Sequence, residues 1–266
     1  AFSSHTRDYN WLQRHIASDA HAVLTDVTAA YAGLNVQGPN SRALLQQVSS
    51  GDFSNSAFPF GTSKEIQLGY ATIRASRISY VGELGWELLI PSDMAVHVYE
   101  TLVEAGQDLE LTNVGMHAMN SLRIEKAYRP WGHEIADEDT PIEAGLEFGV
   151  RFDKPGGFIG REALLRAVDD PLTRRMVQFV LEDPMAMLYH EEPIWRDGVR
   201  IGRTTSGMYG HTLGGCVGLG YVENDEVIDS AFVSEGVWEI EVAGERISAR
   251  ASLSPMYDPR SERVKF

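Results

Sequence analysis

Apolar positions switch between helical and strand spacing along the first part of the chain. Residues 8–17 predict a short helix, with Asp8 as its cap and Trp11, His15 and Ile16 near one face. A strand is expected at 31–36, then a Gly38-Pro39-Asn40 turn, then a helix over 41–48. Residues 53–62 read as loop, broken by Pro59 and Gly61. Residues 71–80 alternate, with Ile73, Ala75 and Arg77 on one side and Arg74, Ser76 and Ile78 on the other. A glycine-containing turn at 82–85 leads to a second strand at 86–90. Met94, Val98, Leu102 and Ala105 then fall at helical spacing until Gly106 stops them. Further helices are predicted over 116–127 and 161–168, with an irregular acidic stretch at 131–149 between them.

Past Asp169-Asp170-Pro171 the pattern changes. Residues 176–181, 194–195, 199–205, 217–222, 237–242 and 246–251 are short strand patterns with Gly-rich turns and no helix among them. Trp238, Ile240 and Val242 alternate with Glu239 and Glu241, and Ala243-Gly244-Glu245 turns the last two strands into a hairpin. A small all-β barrel or sandwich is expected. The fold class is α+β, with an α+β region at 1–170 and a β-barrel domain at 171–266.

Composition narrows the function classes. The 266 residues are 43% hydrophobic and 23% charged, ordinary for a globular protein with a real core. A formal net charge of −15 argues against nucleic acid or an anionic membrane as partner. No apolar stretch approaches the roughly 18 residues of a membrane span. The single cysteine, Cys216, allows no internal disulfide, so a reducing compartment is expected: cytoplasm, or mitochondrial matrix if the source is eukaryotic. The chain begins at Ala1, without methionine, from initiator removal or from a longer parent.

Several chemistries have no signature here. There is no His-Glu-x-x-His, no cysteine cluster and no calcium-loop spacing in the acidic stretch, so no metal site is assigned and 134–147 is expected to be a solvated loop. Gly215-Cys216-Val217-Gly218-Leu219-Gly220 lacks the Gly-x-Gly-x-x-Gly spacing and is followed by strand rather than helix, so its glycines are assigned to turns or tight barrel packing. Cys216, among apolar neighbours, reads as a packing residue.

Two stretches carry candidate chemistry. In Ser79-Tyr80-Val81-Gly82-Glu83-Leu84-Gly85-Trp86-Glu87-Leu88, two carboxylates stand among aromatics. That suits a flat heteroaromatic ligand with adjacent N–H donors, which one carboxylate can accept in parallel; an exposed hairpin with solvated glutamates and a core tryptophan accounts for the same text. In Ser121-Leu122-Arg123-Ile124-Glu125-Lys126-Ala127-Tyr128-Arg129-Pro130-Trp131-Gly132, three cations and two aromatics interrupt an acidic chain. A local cationic patch for an anionic tail is one reading, and ordinary surface pairing on a helix is the other.

These stretches, with Thr140-Pro141-Ile142-Glu143-Ala144-Gly145, Phe158-Ile159-Gly160, Thr205-Ser206-Gly207 and Gly218-Leu219-Gly220-Tyr221-Val222, resemble the aminomethyltransferase (glycine cleavage T-protein) family in order and spacing over about residues 24–258. Leu188-Tyr189-His190-Glu191-Glu192-Pro193, Tyr209-Gly210-His211-Thr212-Leu213-Gly214 and Pro255-Met256-Tyr257-Asp258-Pro259 bring the likeness nearer to the C-terminal half of dimethylglycine and sarcosine dehydrogenases. The resemblance implies a cloverleaf of subdomains around a folate funnel, ending in an antiparallel β-barrel. It implies tetrahydrofolate as cofactor and 5,10-methylenetetrahydrofolate as product, formed from an amine-derived methylene. By the same resemblance Glu87 grips the pterin ring, Tyr80 is a pterin-side aromatic, and Leu84, Gly85 and Trp86 form a backbone wall. Arg123, Tyr128 and Trp131 match the pocket segment, and Glu83 stands behind Glu87.

The family's catalytic aspartate precedes anything that aligns with Ala1, so the chain is expected to be incomplete at its N-terminus and no catalytic residue is assigned. FAD is expected only in an upstream flavin domain or a flavoprotein subunit, and the enzyme is the parent protein. Two other readings remain at this stage: a non-catalytic folate-binding or assembly protein, and a folate-dependent O- or S-demethylase.

Overall fold

The helix expected at 8–17 starts earlier, as α1 (His5–His15). Asp8 lies in its first turn and accepts a hydrogen bond from Ser4 Oγ at 2.7 Å, so it complements the helix dipole from inside and does not cap it. α1 buries none of its side chains. The structure, a computed structural model, describes residues 4–266, and the chain divides into two compact units: residues up to 119 together with 260–266, and residues 120–259.

In the first unit, β1 (Tyr31–Gln37) and α2 (Ser41–Val48) follow the periodicity closely. β2 (Ser63–Leu68) is an addition. Its side chains are mostly exposed and polar, so it carried no alternation to read. β3 (Ala71–Ser76) stops short of residue 80, and β4 (Gly85–Pro91) leads through a 3-10 turn into α3 (Ala95–Ala105), capped at Gly106. The sheet is antiparallel in the order β1-β4-β3-β2. Its apolar face is built by alternation. Val36 on β1, Ile73 and Ala75 on β3, and Trp86, Leu88 and Ile90 on β4 are buried with Leu44 and Leu45 of α2 and Val98 and Leu102 of α3. Arg77 lies on the same side, as its position predicts, and is buried; its Nη1 donates to the Phe58 carbonyl at 2.8 Å. The opposite face carries Asn35 and Gln37, Gly85, Glu87 and Leu89, and Arg74 and Ser76. A short helix, α7 (Glu262–Lys265), also belongs to this unit.

The unit boundary at 119/120 falls inside α4 (Met116–Glu125), which ends two residues before the expected 127 as the chain enters a left-handed conformation at Ala127, φ 53°. In the second unit α5 (Arg161–Asp169) precedes six strands: β5 (Arg174–Leu181), β6 (Pro193–Arg196), β7 (Val199–Gly210), β8 (Gly215–Glu223), β9 (Trp238–Val242) and β10 (Glu245–Ser252). They close into a barrel in the order β10-β5-β8-β7-β6-β9, all pairs antiparallel, which decides between barrel and sandwich. The stretch is not helix-free. α6 (Ser230–Glu235) interrupts it, capped by Asp229 Oδ1 accepting the Phe232 amide at 2.9 Å, with Val233 buried. Residue 170 lies within this unit, just ahead of β5. β8 is buried along its length except at Glu223, and its glycines allow close strand approach: a Cβ at Gly220 would lie 2.5 Å from the Arg203 carbonyl and 2.7 Å from Ile194 Cδ1.

Candidate functional site

Glu87 sits at the middle of β4, opposite Asn35 on β1 and opposite Ser76 on β3. Strand alternation turns it away from the core that its neighbours Trp86 and Leu88 enter. Its carboxylate is half-buried, and burial alone pushes its pKa above the ordinary glutamate value. No hydrogen bond or cation among the described residues offsets that desolvation. A carboxylate held this way is preset to accept N–H donors from a bound molecule.

The segment before it is pinned by its own polar groups. Ser79 Oγ accepts the amides of Val81 and Glu83 at 3.3 and 3.2 Å. The Leu84 carbonyl accepts the Gly38 amide at 2.7 Å and Ser41 Oγ at 3.1 Å, fixing the backbone of Leu84 to the start of α2. Tyr80 and Glu83 are partly buried in the bend between β3 and β4. Trp86 differs from the aromatic frame that its nearness in sequence suggested. Its ring is fully buried on the opposite face, edge-on to Phe53 and Phe58 at 5.3 and 5.9 Å, with the Arg77 guanidinium 5.6 Å from its centroid. Only its backbone accompanies Glu87.

Spacing along β4 does not reveal the neighbours across the sheet. Asn35 faces Glu87 directly, and Gln37 faces Gly85. Their signal was present in 31–37, where Asn35 and Gln37 alternate with the apolar Leu34 and Val36.

In the second unit, the cations of the Arg123–Trp131 stretch are largely committed internally. Arg123 is buried at the end of α4; its Nη1 donates to Glu134 Oε1 at 2.7 Å and to the Tyr128 carbonyl at 3.2 Å. Lys126 is buried against Asp258, Nζ to Oδ2 at 2.9 Å. Arg129 donates through Nη1 to the Ala127 carbonyl at 2.7 Å. A buried charge is stable only when paired, and Arg123 and Lys126 are held in buried ion pairs, so these two do not form a free cationic surface. Glu134 overturns the expectation of a wholly solvated acidic loop: it is 0% exposed and also accepts Ser206 Oγ from β7. Burial likewise raises the pKa of Tyr128, helped by the charge of Asp258. Trp131 is partly buried and forms a bridge with Ile135. Glu125 Oε1 accepts the amides of Thr212 and Leu213 at 2.7 and 2.8 Å, tying α4 to the β7–β8 turn. Cys216 is a buried packing residue; its sulfur accepts the Leu188 amide at 3.1 Å and burial pushes the thiol pKa up. Among the described residues no group of three His, Cys, Asp or Glu is placed to hold a metal, and no helix is long and apolar enough to cross a membrane.

An α+β unit built on a four-stranded antiparallel sheet, in one chain with a closed six-stranded antiparallel barrel, defines the structural class. The comparisons give the family. Residues 1–154 match the model of the GCVT N-terminal domain, and residues 174–258 match that of the glycine cleavage T-protein C-terminal barrel domain. The chain belongs to the glycine cleavage T-protein (aminomethyltransferase) family. It is 43% identical over 95% of its length to 4-methylaminobutanoate oxidase (formaldehyde-forming) of Paenarthrobacter nicotinovorans, and 39% identical over 91% to human mitochondrial sarcosine dehydrogenase. It spans 30% and 26% of the lengths of those two relatives. The fold matches the glycine cleavage system aminomethyltransferase T of Bartonella henselae with a TM-score of 0.80 at 24% identity, covering 96% of this chain and 67% of that one.

Proposed function

We propose that the chain is the tetrahydrofolate-binding, one-carbon-transfer portion of an N-methyl amine-oxidising flavoprotein. One observation carries the reading: Glu87, on a strand matching the family text, is a half-buried carboxylate with no hydrogen bond or cation to offset its desolvation. A pterin offers the complement, an amide N–H beside an exocyclic amino group, which one carboxylate accepts in parallel. Bound there, tetrahydrofolate supplies the two nitrogens that take up a carbon at the oxidation level of formaldehyde. Two of the chain's relatives are named for oxidising methylamino compounds, one of them forming formaldehyde, so the carbon acceptor has a donor of fitting chemistry.

The chain's own residues bind and orient. Glu87 accepts from the ring, Tyr80 stacks beside it, and the backbone of Leu84, Gly85 and Trp86 forms the wall, with Glu83 behind. On the family resemblance alone, Arg123, Tyr128 and Trp131 are also proposed as folate-binding residues. A flavin would belong to another part of a longer protein or to another subunit. No observation favours a non-catalytic folate-binding or assembly protein, or a folate-dependent O- or S-demethylase.

Calorimetry with tetrahydrofolate on the full natural gene product tests this. Glu87→Ala should weaken binding by about 2–4 kcal/mol, roughly thirty-fold or more, because the ring N–H groups lose a charged acceptor. Unchanged affinity would sink the assignment.

A further inference from the structure

Gly85 occupies the position one strand pitch before Glu87, on the same face. The space its missing side chain leaves is filled by Gln37 from β1: a Cβ there would lie 2.1 Å from Gln37 Oε1. The Gln37 amide therefore lies over Gly85, and two residues of extended strand separate Gly85 from Glu87, about 6.6 Å. The amide is incompletely satisfied. Oε1 is buried with no hydrogen-bond partner, while Nε2 makes one long bond, 3.4 Å, to the Ile78 carbonyl. That bond sets the orientation of the amide, nitrogen toward Ile78 and oxygen free. The face thus holds two acceptors lacking donors, the half-buried Glu87 carboxylate and the buried Gln37 Oε1, the latter seated in space that only glycine at position 85 leaves. Buried acceptors without donors are costly, and a ligand that supplies the donors recovers the loss.

We propose that Gln37 is a specificity residue that reads the oxidation state of the pterin, its Oε1 accepting the N8–H that a reduced ring carries and an oxidised ring lacks. The proposal rests on the reading of Glu87 as the pterin acceptor. In tetrahydrofolate N8 is a secondary amine and a donor. In fully oxidised folate N8 is an imine nitrogen with a lone pair, which would face the Gln37 oxygen and repel it. Turning the amide over would break its bond to Ile78. The N3–H and 2-amino donors lie at one corner of the bicycle and N8–H at another, a separation that suits acceptors two strand residues apart. Discrimination is strong where a buried polar group is left unpaired by the wrong ligand.

The test compares tetrahydrofolate with oxidised folate by anaerobic calorimetry, on the full natural gene product and three variants. The unsubstituted protein should prefer tetrahydrofolate by at least about ten-fold. Gln37→Met, similar in length and without an acceptor, should reduce that preference to within about two-fold, mainly by weakening tetrahydrofolate. Gln37→Glu keeps an acceptor and should retain the preference, which guards against a loss of folding in the first variant. Glu87→Gln should weaken both ligands together. Retention of the full preference by Gln37→Met, with Glu87→Gln still weakening both ligands, overturns the role of Gln37 alone. Binding of neither pterin by the unsubstituted protein overturns both this role and the folate reading beneath it.

Discussion

Carboxylates of one chemical type meet opposite fates in this chain because of what surrounds them. Glu134 is buried and takes an arginine and a serine, and Glu125 takes two backbone amides. Glu87 is half-buried and takes nothing that would offset its desolvation. Its pKa in the folded protein lies above that of an unfolded chain, so the folded state holds the proton more tightly and stability falls as pH rises through the folded-state value. Above that value the ionised group costs stability, and below the unfolded value the cost is gone. Glu87→Gln should therefore melt higher than the unsubstituted protein at pH 7.5, with the gap shrinking as pH falls toward 4, in thermal melts across a pH series. A variant that melts lower at pH 7.5 contradicts the account. A group kept at such a cost is expected at a binding site. The residues by themselves left Glu87 open between a ligand carboxylate and a solvated one, and the family resemblance singled it out; the isolation of its carboxylate depends on which side chains β1 and β3 bring beside it.

At the scale of elements, periodicity read well where one face is apolar and poorly where it is not. α2, α3 and the hairpin of β9 and β10 follow their patterns, since each buries a regular stripe. β2 has almost no buried positions and therefore left no alternation. α6 is too short for a stripe, and its cap, Asp229, was its main signal. The glycines of β8 gave no nucleotide loop because strand pairing, not phosphate, is what approaches them. Gly220→Ala should destabilise the barrel by about 1–3 kcal/mol, since the new methyl meets the Arg203 backbone carbonyl, which cannot move without breaking the β7–β8 pairing. Urea unfolding measures this, and a neutral result would mean that the strands separate freely at that point.

For the whole molecule, contacts divide the chain within α4, whereas the change of sequence pattern comes near residue 170. The second unit has its own apolar clusters, one around Phe179, Ile194, Trp238 and Ile240 and another around Ile124, Val217 and Leu219. It also contains all six barrel strands. A fragment of residues 120–259 is accordingly expected to unfold cooperatively by itself, as a unit with its own core does. Circular dichroism with a single sharp thermal transition would bear this out, and a gradual, featureless melt would refute it.

The sequence by itself determined the α+β-then-β organisation, the family and the Glu87 strand, because these depend on local spacing and on motif order. Only the tertiary structure decided three things: that Trp86 turns inward, that Arg123 and Lys126 are consumed by Glu134 and Asp258, and that Gln37 lies over Gly85 beside an unpartnered carboxylate. Alternation allowed Trp86 either side until the sheet found its core, and the ion pairs and the Gln37–Gly85 contact join residues 11 to 132 positions apart, whose burial and hydrogen bonding are set by strand register and packing.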